Sequence, residues 1–388
     1  MTRCDDVWEW SRLQWSVGDG DDPGTLANAF LHSYGLALPA STSWNAPITQ
    51  RVHREGGVCG ASLFLSAAGA AAMIGAPPGA PSPAPAVPDL AVVVYGHHRA
   101  ALADQAGTSG PVPPAAGATS WSVGQWQPSW SPDDHAAAVV AVREAIARGD
   151  VYQVNLVGHA SARYVGDPGP ALRRLIGLPG ARYGRIMSGP GWAIASASPE
   201  LLIRVRGGMV ETRPIKGTRP ATGAGRQELL SSAKERAEHI MIVDLERNDL
   251  AQVARTGTVT VPELFAVRRW ADLWQAESRV VARLADGVDL AGLLRAVCPG
   301  GSVTGAPKRA ALAHIAALEP VGRGASMGAL GWLDQDQLEL GLTIRTVAVD
   351  AQRLHLWAGG GITWDSDPVA EVAEAAAKAA PVRAALAA

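Results

Sequence analysis

Phenylalanine and cysteine each occur only three times in 388 residues, and charged residues make up only 18% of the chain. Cys4, Cys59 and Cys298 are too few and too scattered for a disulfide framework or a cysteine metal cage. Cys59 reads as a small buried residue. Positive charge is not in excess. Lys+Arg number 34 against 36 Asp+Glu, a net charge of -2, which excludes a general binder of nucleic acid or of acidic membranes. The first residues, Met1-Thr-Arg-Cys-Asp-Asp, carry no apolar signal core. Long hydrophobic runs are lacking too. Residues 56–88 hold no charge, but 66–76 are mostly Ala, Gly and Ser and 77–88 contain six prolines, too weakly apolar to span a bilayer. Nine histidines show no zinc spacing, and only His97 and His98 are adjacent. A soluble cytoplasmic protein without nucleic-acid or membrane partners is expected.

What is present is core: hydrophobic residues reach 47%, which excludes wholesale disorder. The length suits two or three domains or one composite domain. Residues 1–75 read as strands and turns. Residues 76–88 read as an extended, exposed Pro-rich segment, with a second Pro/Gly/Ser stretch at 107–119. Between them Leu90–Tyr95 reads as a buried strand. Ser131-Pro132-Asp133-Asp134 opens a helix that Gly149 ends. A strand follows at Val151–Val157. Leu201–Arg206 and Met209–Arg213 read as a hairpin turning at Gly207-Gly208. Helices are expected over 226–242 and 368–387, the latter opened by Asp367-Pro368. Irregular alternation of helices, strands and hairpins favours a mixed α/β sandwich over a doubly wound sheet.

Several motif look-alikes fail. Gly324-Ala-Ser326-Met-Gly328 fits a nucleophile elbow, yet Ala329–Leu333 after it reads as a strand where a helix is required. Gly57-Val-Cys59-Gly-Ala61 lacks the closing glycine of a glutaminase elbow. Gly223-Ala-Gly225 lacks the third glycine of a dinucleotide fingerprint.

The acidic helices carry more information. Glu235 and Glu238 share a helix face, as do Glu371 and Glu374, with Lys378 one turn on. Each pair alone reads equally well as a solvated face. Together with the glycine nest Gly359-Gly-Gly361, they could hold Mg²⁺ with open positions for a carboxylate. In the hairpin, a two-residue turn sets Glu200 opposite Ile215, and a three-residue turn sets it opposite Lys216. Either way an acid and a lysine meet at the open end. They could form a nucleophile and proton donor, or a plain cross-strand salt bridge.

These segments resemble, in family order, the chorismate-utilising enzymes. The matching blocks are Gly149-Asp-Val-Tyr-Gln-Val-Asn-Leu156, Ser198-Pro-Glu200, Pro214-Ile-Lys-Gly-Thr218 and Lys234-Glu-Arg-Ala-Glu-His239. They continue with Val243-Asp-Leu-Glu-Arg-Asn-Asp-Leu250, Gly301-Ser-Val-Thr-Gly-Ala-Pro-Lys308, Leu342-Thr-Ile-Arg-Thr346 and Gly359-Gly-Gly-Ile362 with Asp365-Ser-Asp-Pro368. The resemblance runs from about Trp121 to the end. It implies two packed, mostly antiparallel sheets flanked by helices, with a catalytic domain over 121–388 and a short, divergent N-terminal region over 1–120 packed on it. Lys216 and Gln153 resemble the aminodeoxychorismate synthase component I branch. Anthranilate synthases usually have Ala at the first position, and isochorismate and salicylate synthases have a lysine base at the second.

The resemblance implies roles. Mg²⁺ on Glu238 and Glu374, backed by Glu235 and Glu371, would take the ring carboxylate of chorismate, assisted by Gly360, Gly361 and Lys378. Arg345 would grip the enolpyruvyl carboxylate, and Thr218 and Thr304 would line the ring pocket. Glu200 would protonate the departing C4 hydroxyl while Lys216 attacks C2, and ammonia would then displace Lys216. Implied partners are a glutamine amidotransferase subunit supplying ammonia and a downstream aminodeoxychorismate lyase, on a route to 4-aminobenzoate and folate or to a specialised product. Two positions depart from the family pattern. Gln275 replaces the His of a His-x-x-Ser segment, and Ser326 replaces an aromatic residue. Alternatives are an anthranilate or 2-amino-2-deoxyisochorismate synthase, or an inactive chorismate-binding scaffold subunit.

Overall fold

The computed structural model describes residues 7–39, 57–97, 120–270 and 273–387. Cys4, His98 and the 107–119 stretch lie outside the described residues. The chain begins with β1 (Val7–Trp15), α1 (Pro23–Ser33), β2 (Val58–Leu65), α2 (Ala67–Met73) and β3 (Leu90–His97). Next come β4 (Ser122–Val123), β5 (Gln127–Pro128), α3 (Pro132–Arg148), β6 (Gln153–Val165) and α4 (Gly169–Ile176). The middle holds β7 (Arg185–Gly189), β8 (Trp192–Ser196), β9 (Leu201–Arg206), β10 (Met209–Arg213) and β11 (Ile215–Pro220). After it follow α5 (Gly223–Ser231), α6 (Ala233–Ala251), β12 (Thr260–Trp270), β13 (Leu273–Arg283) and α7 (Leu290–Val297). The last stretch has a 3₁₀ turn at Gly301–Val303, β14 (Gly305–Ala306), α8 (Lys308–Leu318), β15 (Ala329–Leu333), β16 (Gln337–Leu342), β17 (Thr346–Val349), β18 (Arg353–Ile362) and α9 (Pro368–Ala387).

The strands form two antiparallel sheets, as the sandwich expectation requires. The larger runs β1-β3-β2-β15-β16-β9-β10-β13-β11, with β12 also on β13; the smaller runs β14-β6-β18-β17-β8-β7, with β4 and β5 on β6. Their facing sides share one core, in which Val157, Ile194 and Trp357 of the smaller sheet meet Ile203, Val205 and Leu340 of the larger. The N-terminal strands are part of this sheet: β2 pairs with β15 from Ala329↔Leu65 to Leu333↔Ala61.

Local signals explain the elements that flank the site. Ser131 and Asp134 close a capping box on α3, and Gly149 takes the left-handed conformation at its end. Asp367 accepts the Ala370 N–H at 2.8 Å and opens α9.

Four expectations are corrected. The 226–242 helix is two helices, α5 and α6, broken at Ser232, whose hydroxyl accepts the Glu235 N–H and caps α6. Residues 1–75 hold two helices, α1 and α2, besides strands; Asp22 and Ser66 cap them. The Pro-rich 76–88 segment is not simply exposed. Ala84 and Val87 belong to the core, and Pro81 O accepts the Gly322 N–H at 2.9 Å. The hairpin does not carry Glu200 across to Lys216. Gly207 and Gly208 make a two-residue turn, both with positive φ. The register then slips between Glu211 and Arg213. Pro214 has no N–H to continue the ladder, and the chain moves over so that β11 pairs with β13, Lys216 opposite Ala276.

Candidate active site

Glu200 lies between β8 and β9, with only 5% of its surface exposed. Its Oε1 accepts from Ser302 Oγ at 2.8 Å. Burial pushes its carboxyl up to about 7, against the opposing pull of Ser302, the nearby Lys216 charge and the Ile215 N–H that it accepts. Ser302 belongs to the Gly301–Lys308 block, but sequence reading gave it no role. A hydroxyl in a quoted block next to a candidate acid is the signal that could have found it.

Lys216 sits where β11 leaves the hairpin. Burial and the Lys378 charge pull its ammonium below the ordinary lysine value, while Glu200, Glu238 and Glu374 act in the other direction. No hydrogen bond or ion pair holds its Nζ among the described residues. A desolvated amine of this kind can be neutral and nucleophilic. Gly361 brings the next group close: a Cβ there would lie 3.4 Å from Lys216 Nζ and 2.4 Å from Gln153 Nε2. Gln153 is 1% exposed, and neither its Nε2 nor its Oε1 has a partner. Two orphaned amide atoms are costly unless something enters to satisfy them. Asn155 Oδ1, two residues along β6, is also buried and unpartnered.

Arg345 connects β16 and β17 in the left-handed region, φ 51°, a sparsely used conformation for a residue with a Cβ. Its guanidinium has no ion pair among the described residues. Burial lowers its pKa and the Glu200 charge acts against that. An unneutralised guanidinium beside a candidate acid is a carboxylate receptor.

The acidic residues gather at the other side of Lys216. A Cβ on Gly360 would lie 3.1 Å from Glu371 Oε2, 3.6 Å from Lys378 Nζ and 3.7 Å from Glu374 Oε1. Lys378 donates to Gly359 O at 2.9 Å and pairs with Glu374 at 2.7 Å. Burial raises Glu371, and the Glu374 charge adds to this against a Ser366 hydrogen bond. Burial also raises Glu238; Lys216 and Lys234 offset this, and Glu235 and Glu371 add to it. Glu374 is also pushed up by burial, but Lys378 holds it below the ordinary carboxylate range. Glu235 faces Gly217, 3.0 Å from where a Cβ would sit, and accepts from Arg219 at 3.1 Å. Beyond Leu356, β18 has no β17 partner, so part of the glycine backbone is open to a ligand.

These acids fit a hard divalent cation in donor chemistry, all oxygen and mutually repulsive. Among the described residues no three His, Cys, Asp or Glu side chains form a ready ligand cluster. Burial is the leading cause of the raised Glu238 and Glu371 carboxyls, and the like charges that add to it are what a cation would relieve.

Two expected residues differ from the rest in what surrounds their hydroxyls. Thr304 is fully buried and spends its hydroxyl on Gly300 O at 2.8 Å. Thr218 is exposed on β11, opposite Gln275. Ser326 is buried and donates to Thr343 O at 3.2 Å, which leaves no free nucleophile. Sequence reading also missed two supports. His239, wholly buried and pushed down to about 4 by burial and the Lys216 charge, meets Ser278 Oγ at 2.5 Å. Arg323 pairs with Glu319 at 2.6 Å and donates to Val303 O and Asn155 O at 2.6 and 2.7 Å, tying the 3₁₀ turn to β6. Among the described residues no helix is long and apolar enough to cross a membrane.

Comparison with known proteins fits this geometry. A family described as chorismate binding enzyme matches residues 94–384. Aminodeoxychorismate synthase component 1 of Salmonella typhimurium is 40% identical over 256 residues, 64% of this chain and 56% of that protein. Its Bacillus subtilis counterpart is 36% identical over 272 residues, 68% and 58%. Anthranilate synthase component 1 of Streptomyces coelicolor is 40% identical over 244 residues, 61% and 48%. The chain thus spans about half the length of these relatives. The fold matches the crystal structure of anthranilate synthase component I from Streptococcus pneumoniae with a TM-score of 0.76 at 24% identity, covering 97% of this chain and 91% of that one.

Proposed function

Because this chain belongs to the chorismate-binding enzyme family, we propose that it aminates chorismate at C4, forming 4-amino-4-deoxychorismate. The observation that carries this reading is the Lys216 amine, without an ion pair among the described residues and set near Glu200 and the orphaned Gln153 amide. In the proposed path, the Lys216 lone pair attacks C2 of chorismate. Both ring double bonds shift, C1=C2 to C1=C6 and C5=C6 to C4=C5, and the C4 hydroxyl leaves as water with the proton held by Glu200. Ammonia then attacks C4, both double bonds shift back to C5=C6 and C1=C2, and the Lys216 amine is expelled from C2. Its proton balance closes when the ammonium formed at C4 returns a proton to Glu200.

The remaining residues bind and orient. Arg345 takes one carboxylate two-pronged. Glu238 and Glu374, with Glu235 and Glu371 behind them, would hold Mg²⁺, which neutralises the second carboxylate when bound. Gln153 has a neutral amide where a water-activating base would favour hydroxide, which suits ammonia as the incoming group. The "component 1" names of the relatives support a second subunit as ammonia source, for which a glutamine amidotransferase is proposed. A lyase would release 4-aminobenzoate.

The second reading, anthranilate formation, is kept by the Streptomyces coelicolor relative. One assay separates the readings. The pure protein is incubated with chorismate, Mg²⁺ and ammonium, with and without an added aminodeoxychorismate lyase. 4-Aminobenzoate that appears only with the lyase supports C4 amination. Anthranilate overturns it in favour of the second reading, and unchanged chorismate in favour of an inactive binding subunit.

A further inference from the structure

A cavity of about 150 Å³ lies between α3, α9 and the outer face of the smaller sheet. We propose that it binds a monocyclic aromatic carboxylate. A cavity of about this volume takes one benzene ring. Its walls are apolar, with Trp130, Leu356, Ala358, Val372, Ala375 and Ala379 among them. Two cationic or polar side chains also line it without an ionic or hydrogen-bond partner among the described residues. Arg383 has a buried Nε without a hydrogen-bond partner, and its guanidinium lies 5.3 Å from the Trp126 ring without any ion pair among the described residues. His135 is 5% exposed and stacks on Trp130 at 4.5 Å, yet its ring nitrogens have no hydrogen-bond partner among the described residues. Burial keeps His135 below the ordinary histidine value and hence neutral at pH 7. The combination is a flat apolar slot with one unpaired guanidinium and one neutral imidazole. A ring bearing a carboxylate satisfies all three features.

The cavity is separate from the candidate active site but shares a helix with it. At about 100° per residue, Glu371, Glu374 and Lys378 fall on one face of α9. Val372, Ala375, Ala376, Ala379 and Arg383 fall on the adjacent face and line the cavity. On β18, Ala358 lines the cavity, and Gly360, the next residue on that face, lies against the acids. A ring seated in the cavity therefore presses on the element that positions Glu371 and Glu374, and slows turnover. On the proposed function, the aromatic product released downstream belongs to this ligand class, and that link alone rests on the function proposed above.

Binding is tested without reference to turnover. Calorimetric titration of the full chain with benzoate is compared across wild type, Arg383→Met, Arg383→Gln, Ala376→Leu and Lys216→Ala. Ala376 is exposed at the cavity rim, so its substitution fills the space at little risk to folding. Benzoate should bind wild type and Lys216→Ala alike, should weaken about tenfold or more in both Arg383 variants, and should fail to bind Ala376→Leu. Benzyl alcohol should bind without regard to Arg383. The proposal is overturned if wild type does not bind benzoate, if the Arg383 and Ala376 variants bind it as wild type does, or if Lys216→Ala abolishes binding, which would place benzoate in the candidate active site. Benzoate inhibition of chorismate turnover, lost in Ala376→Leu, reads the coupling separately.

Discussion

Glu200→Gln should change the pH dependence of stability in a way that no surface substitution can. The Glu200 carboxyl is raised from an ordinary 4.5 to about 7, with burial as the leading cause. Between those values the folded chain keeps a proton that the unfolded chain has released. The stability contributed by that proton is complete below about pH 4.5 and is lost as pH rises through about 7. At about 1.4 kcal/mol per pKa unit, the loss amounts to about 3 kcal/mol. Glutamine keeps the shape and can still accept from Ser302 and the Ile215 N–H, but it does not ionise. Lys216 and Glu200 act on each other's charge, so the comparison is repeated on a Lys216→Ala background, where that lysine no longer titrates and the loss should be at least as large. Urea unfolding at a series of pH values from 4.5 to 8.5 gives the difference between the two proteins. Wild type should lose about 3 kcal/mol relative to the variant across that window. A difference that stays flat would refute the buried, proton-holding Glu200. Turnover of the variant should also fall, by about 10²–10⁴-fold, as expected when a general acid is removed.

Four further outcomes follow from the geometry. Lys216→Ala should abolish C4 amination while leaving the melting temperature unchanged or raised, since it removes a half-buried, desolvated amine that has no ion pair among the described residues; undiminished turnover would remove Lys216 from the mechanism. Gly361→Ala sets a methyl group 2.4 Å from Gln153 Nε2, so steady-state kinetics should show lost kcat with a nearly unchanged unfolding midpoint. Glu319→Ala leaves the buried Arg323 charge unpaired beside Val303 O and Asn155 O, and denaturant unfolding should register about 3–5 kcal/mol of destabilisation. Chelation with EDTA should stop turnover and added Mg²⁺ should restore it; activity that survives exhaustive chelation would argue against a cation on Glu238 and Glu374.

The sequence announced some of this plainly and concealed the rest for identifiable reasons. Caps are local, so Ser131, Asp134, Gly149 and Asp367 mark helix ends without any tertiary information. The Gly207-Gly208 turn is equally local. Lys216 and Glu200 also come together, but not by the hairpin register that suggested it. Their meeting depends on Pro214 ending one pairing and β13 accepting the next strand, a non-local exchange that no periodicity reports. Ser232 was hidden because a serine between two helical stretches reads as one tolerated interior residue until its hydroxyl caps the second. Ala84 and Val87 were hidden because prolines around them dominate the reading of composition, although the core needed two small apolar residues there. The cavity under α9 is built from five separate elements and has no signature in any one of them.

The pairing of β2 with β15 has a consequence for how the molecule avoids its own kind. Ala329–Leu333 is almost wholly buried, with Leu330 and Leu333 at 2% and 0% exposure, and β2 is what occupies that side of it. A polypeptide cut back to residue 121 would keep every residue assigned to chemistry, yet it would present an apolar strand with unpaired backbone groups to solvent. Such an edge pairs readily with another copy of itself. The N-terminal strands thus do more than widen the sheet: they cover an edge that would otherwise be open to pairing with another copy.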